Sequence, residues 1–387
     1  MSFPIDSISA FPLRLFQHIG AAKNAEGSLS ASYSELVDME TLISWDSKLI
    51  DKLTSLSGAY PAIFGSHEIR SLVGDFLQVD EESIIITNGV DDAILSIYSA
   101  LFREDDHISL IEPAYDPLIY NAKAQRAVIC GAKLDEAQNG WQISQQTINR
   151  LVAPEMRACV LNVPHNPTGW YPSHSDLRQF FTLAEKNDCV IIADEVYAGL
   201  NYFTKSDGSR YDSLASLSEQ VISVGSLTKS FGLPGVRVGW IASQNPEIIE
   251  LIKHQRTYSH CYTSSLSEVV ACSALNNREI ILERNQKIAK RNLLALEQLI
   301  RRWNHIFSYS RPCSGPVCLV RFNPSNTRFS SASELSADLL EKEKLLLVSN
   351  DLFNCSDNYF RFGFGTKKFS GFLDVFERYL EQNITSV

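Results

Sequence analysis

The chain has 387 residues, of which 44% are hydrophobic and 21% are charged, so it can bury a substantial core as two domains or one large one. Its formal net charge of −10 argues against a nucleic-acid-binding surface, which would need a basic patch. The eight cysteines form no C-x-x-C pair, and the first 20 residues lack the basic start and apolar run of a signal peptide. No run approaches the ~18 apolar residues of a membrane helix. These features predict a cytoplasmic protein with reduced thiols and without nucleic-acid or membrane partners.

Short apolar runs alternate with helical patterns through the first two thirds of the chain. Seven strands are predicted, at 83–87, 107–111, 127–130, 158–162, 189–193, 221–224 and 238–242. Helical stretches separate many of them, for example 175–187, where apolar residues recur at helical spacing. This alternation predicts an α/β fold with a mostly parallel seven-stranded sheet sandwiched by helices.

The pattern changes after the seventh strand. The predicted elements there are a helical region 247–275 interrupted around 263–265, a long helix 279–303, strands 318–322, 345–348 and 360–364, and a last helix 370–382. Helices and strands arranged in this way predict a smaller α+β domain toward the carboxyl end.

Three motifs lie at or just beyond the carboxyl ends of predicted strands, where open α/β sheets bind ligands. They are His165-Asn166-Pro167-Thr168-Gly169, Asp194-Glu195-Val196-Tyr197, and a segment that runs from Ser226 through Lys229 to Arg237. A pyridoxal 5′-phosphate (PLP) enzyme needs a lysine amine, a carboxylate for the ring nitrogen, and donors for the ring hydroxyl and the phosphate. In this order the motifs resemble the fold type I aminotransferase superfamily, class I/II branch. The resemblance implies the PLP transferase fold type I, with PLP as the cofactor.

The resemblance assigns catalytic roles to three residues. Lys229 would hold the cofactor as a Schiff base and, once freed by the substrate amine, would move the α-proton. Asp194 would pair with the protonated ring nitrogen and keep the ring an electron sink. Tyr197, together with Asn166, would hydrogen-bond to the ring oxygen. A solvated loop lysine and a helix N-cap aspartate are the plainer interpretations of Lys229 and Asp194.

The phosphate of the cofactor would bind where a strand ends in a glycine and a helix begins. There the resemblance assigns contacts to the amides of Gly89 and Val90 and to the side chains of Ser226 and Arg237. Residues 91–92, both aspartate, favour the helix dipole but would oppose a phosphate that they faced. We therefore expect both side chains to point away from it.

Three further residues match positions of the family. Tyr115 lies where the family stacks an aromatic ring on the cofactor, and a structural core tyrosine is the alternative. Tyr60 matches the tyrosine that reaches the phosphate of the neighbouring subunit, which implies a homodimer with shared active sites. Arg361 matches the arginine that binds the substrate α-carboxylate, a task that suits a bidentate guanidinium.

The segment 28–36 departs from most transaminases of the family, because it contains no glycine. With 254–258 and 264–268 it looks more like a subgroup that includes capreomycidine synthase, whose relatives cyclise hydroxylated arginines. In that setting Ser32 and Glu35 would bind the cationic guanidinium of a substrate. A helix cap and a solvated carboxylate are the equally simple interpretations of the same two residues.

The resemblance implies a PLP-dependent enzyme that acts at the α-carbon of an amino-acid substrate, most simply an aminotransferase that passes the amino group to a 2-oxo acid. The alternative is a PLP-dependent cyclase or lyase that converts a hydroxylated arginine into a cyclic guanidine amino acid. A third interpretation is a cofactor-binding regulator without turnover, which would carry a basic recognition helix that the residues before Tyr60 do not offer. No catalytic metal is expected, since the eight histidines show no ligand spacing.

The domain boundaries are predicted from the change of pattern and from the resemblance. We expect an N-terminal arm that contributes to the small domain and the substrate lining at 1–50, a large PLP-binding domain at 51–275, and a small C-terminal domain at 276–387.

Overall fold

The computed structural model of the protein describes residue 20 and residues 23–137, 140–200, 213–349 and 358–384. The strands in these ranges are β1 Gly27–Ser28, β2 Ser30–Ala31, β3 Ile84–Thr87, β4 His107–Glu112, β5 Val128–Lys133, β6 Asp135–Ala137, β7 Gly140–Gln142, β8 Met156–Asn162, β9 Val190–Asp194, β10 Val221–Ser226, β11 Gly239–Ala242, β12 Phe307–Tyr309, β13 Val317–Phe322, β14 Leu345–Leu346, β15 Val348–Ser349 and β16 Tyr359–Phe364. The α-helices are α1 Met39–Trp45, α2 Leu49–Thr54, α3 His67–Leu77, α4 Val90–Leu101, α5 Asp116–Ala124, α6 Gln145–Leu151, α7 His174–Asn187, α8 Pro246–Thr257, α9 Ser265–Asn276, α10 Arg278–Arg302, α11 Ala332–Glu343 and α12 Phe369–Asn383. None of the helices within these ranges has the length and apolar character needed to span a bilayer.

Seven strands form the central sheet, in the order β3-β11-β10-β9-β8-β4-β5. Neighbouring strands are parallel except at β11, which runs antiparallel to β3 and β10. The predicted mostly parallel seven-stranded sheet is therefore confirmed, with every predicted strand present. The ends differ by a few residues; β5, for example, continues to Lys133 because its backbone pairs with β4 that far.

Both faces of the central sheet are covered, and this explains why its strands are nearly continuous apolar runs. In β9, Ile191 belongs to a core cluster that includes residues of α3, α6 and α7. The next residue, Ile192, belongs to a second cluster with residues of α4, α5 and α8. Successive side chains of one strand thus enter two different helical layers, as a sheet with helices on both faces requires.

A second sheet lies in the carboxyl-terminal third of the chain. Its strand order is β12-β13-β16-β15, and β2 pairs in parallel with β16. The short strand β1 pairs with β14, so residues 27–31 join the strands of the opposite chain end. The predicted helical region 247–275 is two helices, α8 and α9, separated by residues 258–264. This break is longer than predicted, because α9 begins only where Ser264 caps it.

The central sheet brings the three motifs to one edge. The strands β8, β9 and β10 are parallel neighbours, and their register places Asn162 beside Asp194 and Asp194 beside Val224. Residues that follow these strands consequently meet at the same edge. Lys229 lies three residues after the end of β10, at the edge where Asp194 ends β9.

Candidate active site

A cavity at the carboxyl edge of the central sheet gathers most of the predicted site residues. Those that line it are Ser32, Val90, Tyr115, Asn166, Asp194, Tyr197, Ser226, Lys229, Arg237 and Arg361. Residues near the amino end, in the central sheet and in the second sheet therefore line one cavity. Glu35, Tyr60 and Gly89 are not part of the lining that the described residues form.

Asp194 forms the floor of the cavity as the last residue of β9 and is only 2% exposed. One of its carboxylate oxygens accepts a hydrogen bond from the backbone N–H of Val196 at 3.2 Å. Burial raises the pKa of Asp194 to about 7, although the Val196 hydrogen bond acts in the opposite direction. A buried carboxylate of this kind is suited to a cationic ligand, which would restore its ordinary acidity.

From the raised pKa of Asp194 we predict how the stability of the protein without cofactor depends on pH. Between its ordinary pKa of 3.8 and about 7, the folded state holds a proton that the unfolded chain releases, so stability falls as the pH rises through this window. We expect Asp194→Asn apoprotein to exceed wild type in unfolding free energy by on the order of a few kcal/mol at pH 8, and the gap to close toward pH 4. Urea unfolding across this pH range measures it, and equal stability of both proteins at pH 8 would contradict it.

Lys229 points into the same cavity from the turn that follows β10. Its Nζ donates a hydrogen bond to Oγ of Ser32 at 3.0 Å. Burial, followed by the charge of Arg361, lowers the pKa of Lys229 to about 8. A substantial fraction of the amine is consequently neutral near physiological pH, which is the form that attacks a carbonyl carbon or accepts a proton.

The N-terminal arm holds the lysine turn in place through its backbone. Ser34 donates its backbone N–H to the carbonyl of Lys229 at 3.0 Å, and Val37 donates to the carbonyl of Gly232 at 3.0 Å. Gly232 has φ +70°, and a side chain there would collide with the backbone of Glu35. Glycine at this position lets the arm lie directly against the turn.

Tyr197 and Asn166 reach the cavity from the residues after β9 and β8. The Tyr197 hydroxyl donates to the carbonyl of Ser32 at 3.1 Å, and burial raises the pKa of Tyr197 to about 12. The Asn166 side-chain oxygen accepts a hydrogen bond from Nη1 of Arg361 at 3.3 Å. Both side chains thus present hydrogen-bonding groups at the wall beside Lys229.

Arg361 extends into the cavity from β16 and is 8% exposed. Its Nη2 donates to the carbonyl of Ser30 at 3.0 Å, while the Ser30 hydroxyl donates to the Arg361 carbonyl at 2.6 Å. These reciprocal bonds fix the arginine between β2 and β16. A buried guanidinium in the cavity lining is suited to bind a carboxylate in a bidentate manner.

Part of the cavity wall is formed at the start of α4, where Val90 is the first helical residue. Gly89 precedes that helix with φ +97°, and a side chain there would collide with the guanidinium of Arg237. Arg237 also has a left-handed backbone (φ 56°), and its Nη2 donates to the carbonyl of Asn88 at 3.2 Å. Free N–H groups at a helix start, with an arginine beside them and Ser226 in the cavity wall, make an anion site.

One expectation about the first turn of α4 is wrong. Asp92 does point away from the cavity, but Asp91 lines it and accepts a hydrogen bond from the Tyr115 hydroxyl at 3.3 Å. The phenol that enters from the start of α5 gives the Asp91 carboxylate a partner on the cavity side. This partnership could not be seen in the sequence, where residues 91 and 115 are far apart.

Asn162 is a lining residue that the sequence analysis did not select. Its side-chain N–H donates to the carbonyl of Asp194 at 3.1 Å, and its oxygen accepts from the backbone N–H of Asn166 at 2.6 Å. The side chain thereby ties the Asn166 turn to the floor of the cavity. A polar residue that ends a buried apolar strand, as Asp194 also does, was the available signal.

Besides Gly89, two predicted residues are absent from the lining that the described residues form. The Glu35 carboxylate accepts a hydrogen bond from the backbone N–H of Lys367 at 2.6 Å. Tyr60 is 86% exposed, and its ring lies 5.2 Å from that of Tyr262, centroid to centroid. The chain by itself therefore does not bring Tyr60 to the cavity.

The groups around the cavity fit PLP. The buried Asp194 carboxylate is suited to a protonated ring nitrogen, and the Lys229 amine lies nearby with a lowered pKa. The Gly89 turn, which a side chain would fill, leaves backbone N–H groups and Arg237 for a phosphate. Tyr115 supplies an aromatic ring to the same lining.

Comparison with known proteins agrees with this fit. The chain matches the family "Aminotransferase class I and II" over residues 32–369. Kynurenine–oxoglutarate transaminase 1 of Mus musculus is 29% identical over 235 residues, which are 55% of this chain and 54% of that enzyme. The chain spans about half the length of the curated relatives of this type that it matches.

Solved structures show the same fold over almost the full chain. A PLP-dependent aminotransferase from Streptococcus suis 89-1591 has a TM-score of 0.86 at 24% identity, covering 97% of this chain and 98% of its own. The PLP-dependent cyclase OrfR has a TM-score of 0.84 at 22% identity, covering 94% and 96%. Likeness at this level of identity establishes the fold, PLP transferase fold type I. The family match, which extends from the N-terminal arm to the last helix, shows that the protein belongs to the class I and II aminotransferases, with PLP as its cofactor.

Proposed function

We propose that the protein is an aminotransferase that moves the amino group of an amino acid to a 2-oxo acid. The observation that carries the proposal is that the Lys229 amine, the Asp194 carboxylate and the Arg361 guanidinium line one cavity. The amine handles the proton at the α-carbon, the carboxylate holds the cofactor ring, and the guanidinium binds the α-carboxylate. These three groups act on the α-carbon, the cofactor and the α-carboxylate, and none of them selects a particular substrate side chain.

Bound PLP supplies a carbonyl that condenses with amines and a ring that withdraws electrons from the α-carbon. Lys229 would hold the cofactor through its amine, and the same amine, once free, would move the proton at the substrate α-carbon. The Ser32 hydroxyl, 3.0 Å from Nζ, orients the free amine. Arg361, which lines the same cavity as Lys229, would bind the substrate by its α-carboxylate and so orient the α-carbon.

The remaining proposed contacts hold the cofactor. Asp194 keeps the ring nitrogen protonated, and Tyr197 and Asn166 hydrogen-bond to the ring oxygen. The proposed phosphate contacts are the amides of Gly89 and Val90, the Ser226 hydroxyl and the Arg237 guanidinium. Tyr115 is proposed to stack on the ring face.

The cyclase alternative depended on Ser32 and Glu35 as ligands for a substrate guanidinium. In the structure the Glu35 carboxylate is bonded to Lys367 outside the cavity lining, and the Ser32 hydroxyl is bonded to Lys229. Glu35 is thus outside the lining that the described residues form, whereas Ser32 is part of it, and the position of Glu35 favours amino transfer over cyclisation.

The test of the proposed function is product analysis with purified holoenzyme. A panel of common amino acids, arginine and hydroxylated arginines is incubated with and without a 2-oxo acid. We expect consumption of the amino acid beyond one equivalent per active site only when the 2-oxo acid is present, with one new amino acid formed for each further one lost. Conversion of a hydroxylated arginine, without any 2-oxo acid, to a product lighter by one water would contradict the proposal.

We further propose a homodimer in which Tyr60 completes the phosphate site of the partner subunit. Its 86% exposed ring, next to Tyr262 and outside its own cavity, supports this. The prediction concerns a heterodimer that joins a Lys229→Ala subunit to a Tyr60→Ala subunit. If the sites are shared, one of its two sites has both intact residues, so its activity should be half that of wild type.

Two tags on the coexpressed subunits allow the heterodimer to be purified and assayed beside each homodimer. If the sites were not shared, the only lysine-bearing site would also lack its own tyrosine. The heterodimer would then have half the activity of the Tyr60→Ala homodimer, and this result, or a fully active monomer in sedimentation, would refute the shared site.

The domain boundaries near residues 50 and 275 and a cytoplasmic location are also proposals. The pairing of β1 and β2 with strands of the second sheet supports an N-terminal arm that belongs to the small domain. The seven cysteines in the described part of the chain are free thiols, which supports a reducing compartment.

A further inference from the structure

We infer that Arg256 is a positioning residue for the phosphate end of the site. It is absent from the cavity lining that the described residues form, and it acts through Asp92. The pair would hold the turn at Asn88–Gly89 in its anion-binding shape and cancel a negative charge in the first turn of α4. This inference rests on the proposed binding of the PLP phosphate at that turn.

Arg256 is a fully buried charge at the end of α8. Its side chain is 0% exposed, and Nη1 lies 3.0 Å from Oδ1 of Asp92, which is itself 12% exposed. Nη1 also donates to the Ser96 hydroxyl at 2.7 Å, and Nη2 donates to the carbonyl of His260. Burying a guanidinium is costly unless it is paired and hydrogen-bonded, so the folded state requires this arrangement of Asp92.

Asp92 connects the buried arginine to the turn. Its second carboxylate oxygen, Oδ2, accepts the backbone N–H of Asn88 at 2.9 Å. The backbone carbonyl of Asn88 accepts a hydrogen bond from Nη2 of Arg237 at 3.2 Å. The Asn88 side-chain amide donates to the carbonyl of Tyr262 at 3.4 Å. The Asn88 peptide is thus held on both sides, immediately before the glycine whose N–H would face the phosphate.

Charge gives Arg256 a second effect on the same turn. The first turn of α4 contains two carboxylates, and the proposed phosphate would add a dianion at that helix start. Asp91 has the Tyr115 hydroxyl as a hydrogen-bond donor, whereas Asp92 has the Arg256 cation. Without that cation, the Asp92 charge would repel a phosphate within one helical turn.

The test is the affinity of apoprotein for PLP and for pyridoxal, which has the same ring without the phosphate. Fluorescence titrations at pH 8 compare wild type, Arg256→Gln, and Arg256→Gln combined with Asp92→Asn. The imidazole of His260 also lies beside Asp92, with Nδ1 3.6 Å from Oδ1, and it is unchanged in all three proteins.

Arg256→Gln is expected to lower PLP affinity on the order of tenfold, while pyridoxal affinity stays within about twofold. The double variant should recover most of the PLP affinity, because it also removes the charge that the single variant leaves without a cation. Equal losses for PLP and pyridoxal, or no recovery in the double variant, would reduce Arg256 to a packing role and overturn the inference.

Two further variants keep the test decisive. Lys253→Gln removes a partly buried cation of the same helix, paired at 2.9 Å with the exposed Glu250, and should change neither affinity. Arg256→Lys keeps a cation beside Asp92 and should retain the wild-type ratio of PLP to pyridoxal affinity even if Arg256→Gln does not fold. A tenfold fall of that ratio in a folded Arg256→Lys protein would contradict the inference.

Failure of this inference differs from failure of the proposed function. A wild-type chain that binds PLP no more tightly than pyridoxal would have no phosphate site, and the proposed function would fall with it. A wild-type preference for PLP that survives unchanged in folded Arg256→Gln would overturn the role of Arg256 alone.

Discussion

Lys229→Ala is expected to abolish amino transfer, with kcat reduced by roughly 10³-fold or more while the fold is retained. The substitution removes both the covalent attachment of the cofactor and the amine that moves the α-proton, and general-base transfer alone contributes about 10²- to 10⁴-fold. Small primary amines in the buffer should restore part of the rate, because the truncated side chain leaves room for them beside Ser32. Single-turnover assays with and without added amine measure both effects.

The matched control for this prediction is Lys253→Ala. That lysine pairs with the exposed Glu250 on α8 and is absent from the cavity lining that the described residues form, so its loss should leave the rate of amino transfer unchanged. If a folded Lys229→Ala protein kept more than a tenth of the wild-type rate, Lys229 would not be the reacting amine and the proposed site would be wrong.

Asp194→Asn is expected to lower kcat by roughly 10²- to 10³-fold, the scale found when one preorganised electrostatic partner is removed from an active site. A neutral amide still accepts the Val196 N–H, but it no longer holds a proton on the ring nitrogen. The same substitution should stabilise the apoprotein above pH 7, because burial raises the pKa of Asp194. The wild-type carboxylate thus costs stability in the empty site and is needed once the ring is bound.

Asp194→Glu serves as the comparison for Asp194→Asn, because it keeps the charge and changes only its position. It should retain more activity than Asp194→Asn, and steady-state assays of both variants at saturating PLP measure the difference. Comparable activity of Asp194→Asn and wild type would show that the carboxylate is not the partner of the ring.

The central sheet could be predicted because its strands are buried on both faces. Runs such as 189–193 are continuously apolar, without the alternation of a half-exposed strand. In the segments between such runs, apolar residues recur at helical spacing. The ends were less predictable, since strand pairing carries β5 to Lys133 beyond its apolar part. The hairpin of β6 and β7, three residues a side, has too little pattern to be recognised in the sequence.

The candidate site also contains residues whose positions could be predicted from the sequence and residues whose positions could not. Lys229, Asp194 and Asn166 lie in motifs that follow strands, so their meeting at one sheet edge could be expected. The positions of Asp91 and Glu35 depend on long-range partners, the Tyr115 hydroxyl and the Lys367 backbone, and no local pattern encodes these. The environment of Arg256 was equally hidden, because its Asp92 partner lies 164 residues away.

The central claim is that Lys229 is the residue that carries PLP, and borohydride reduction tests it most directly. Reduction of the holoenzyme fixes a cofactor held through a lysine, and proteolysis followed by mass spectrometry locates the label. We expect the reduced cofactor on the peptide that contains Lys229, and no label at that position in Lys229→Ala. Label on a different lysine, or a holoenzyme that carries no covalently held cofactor, would contradict the account.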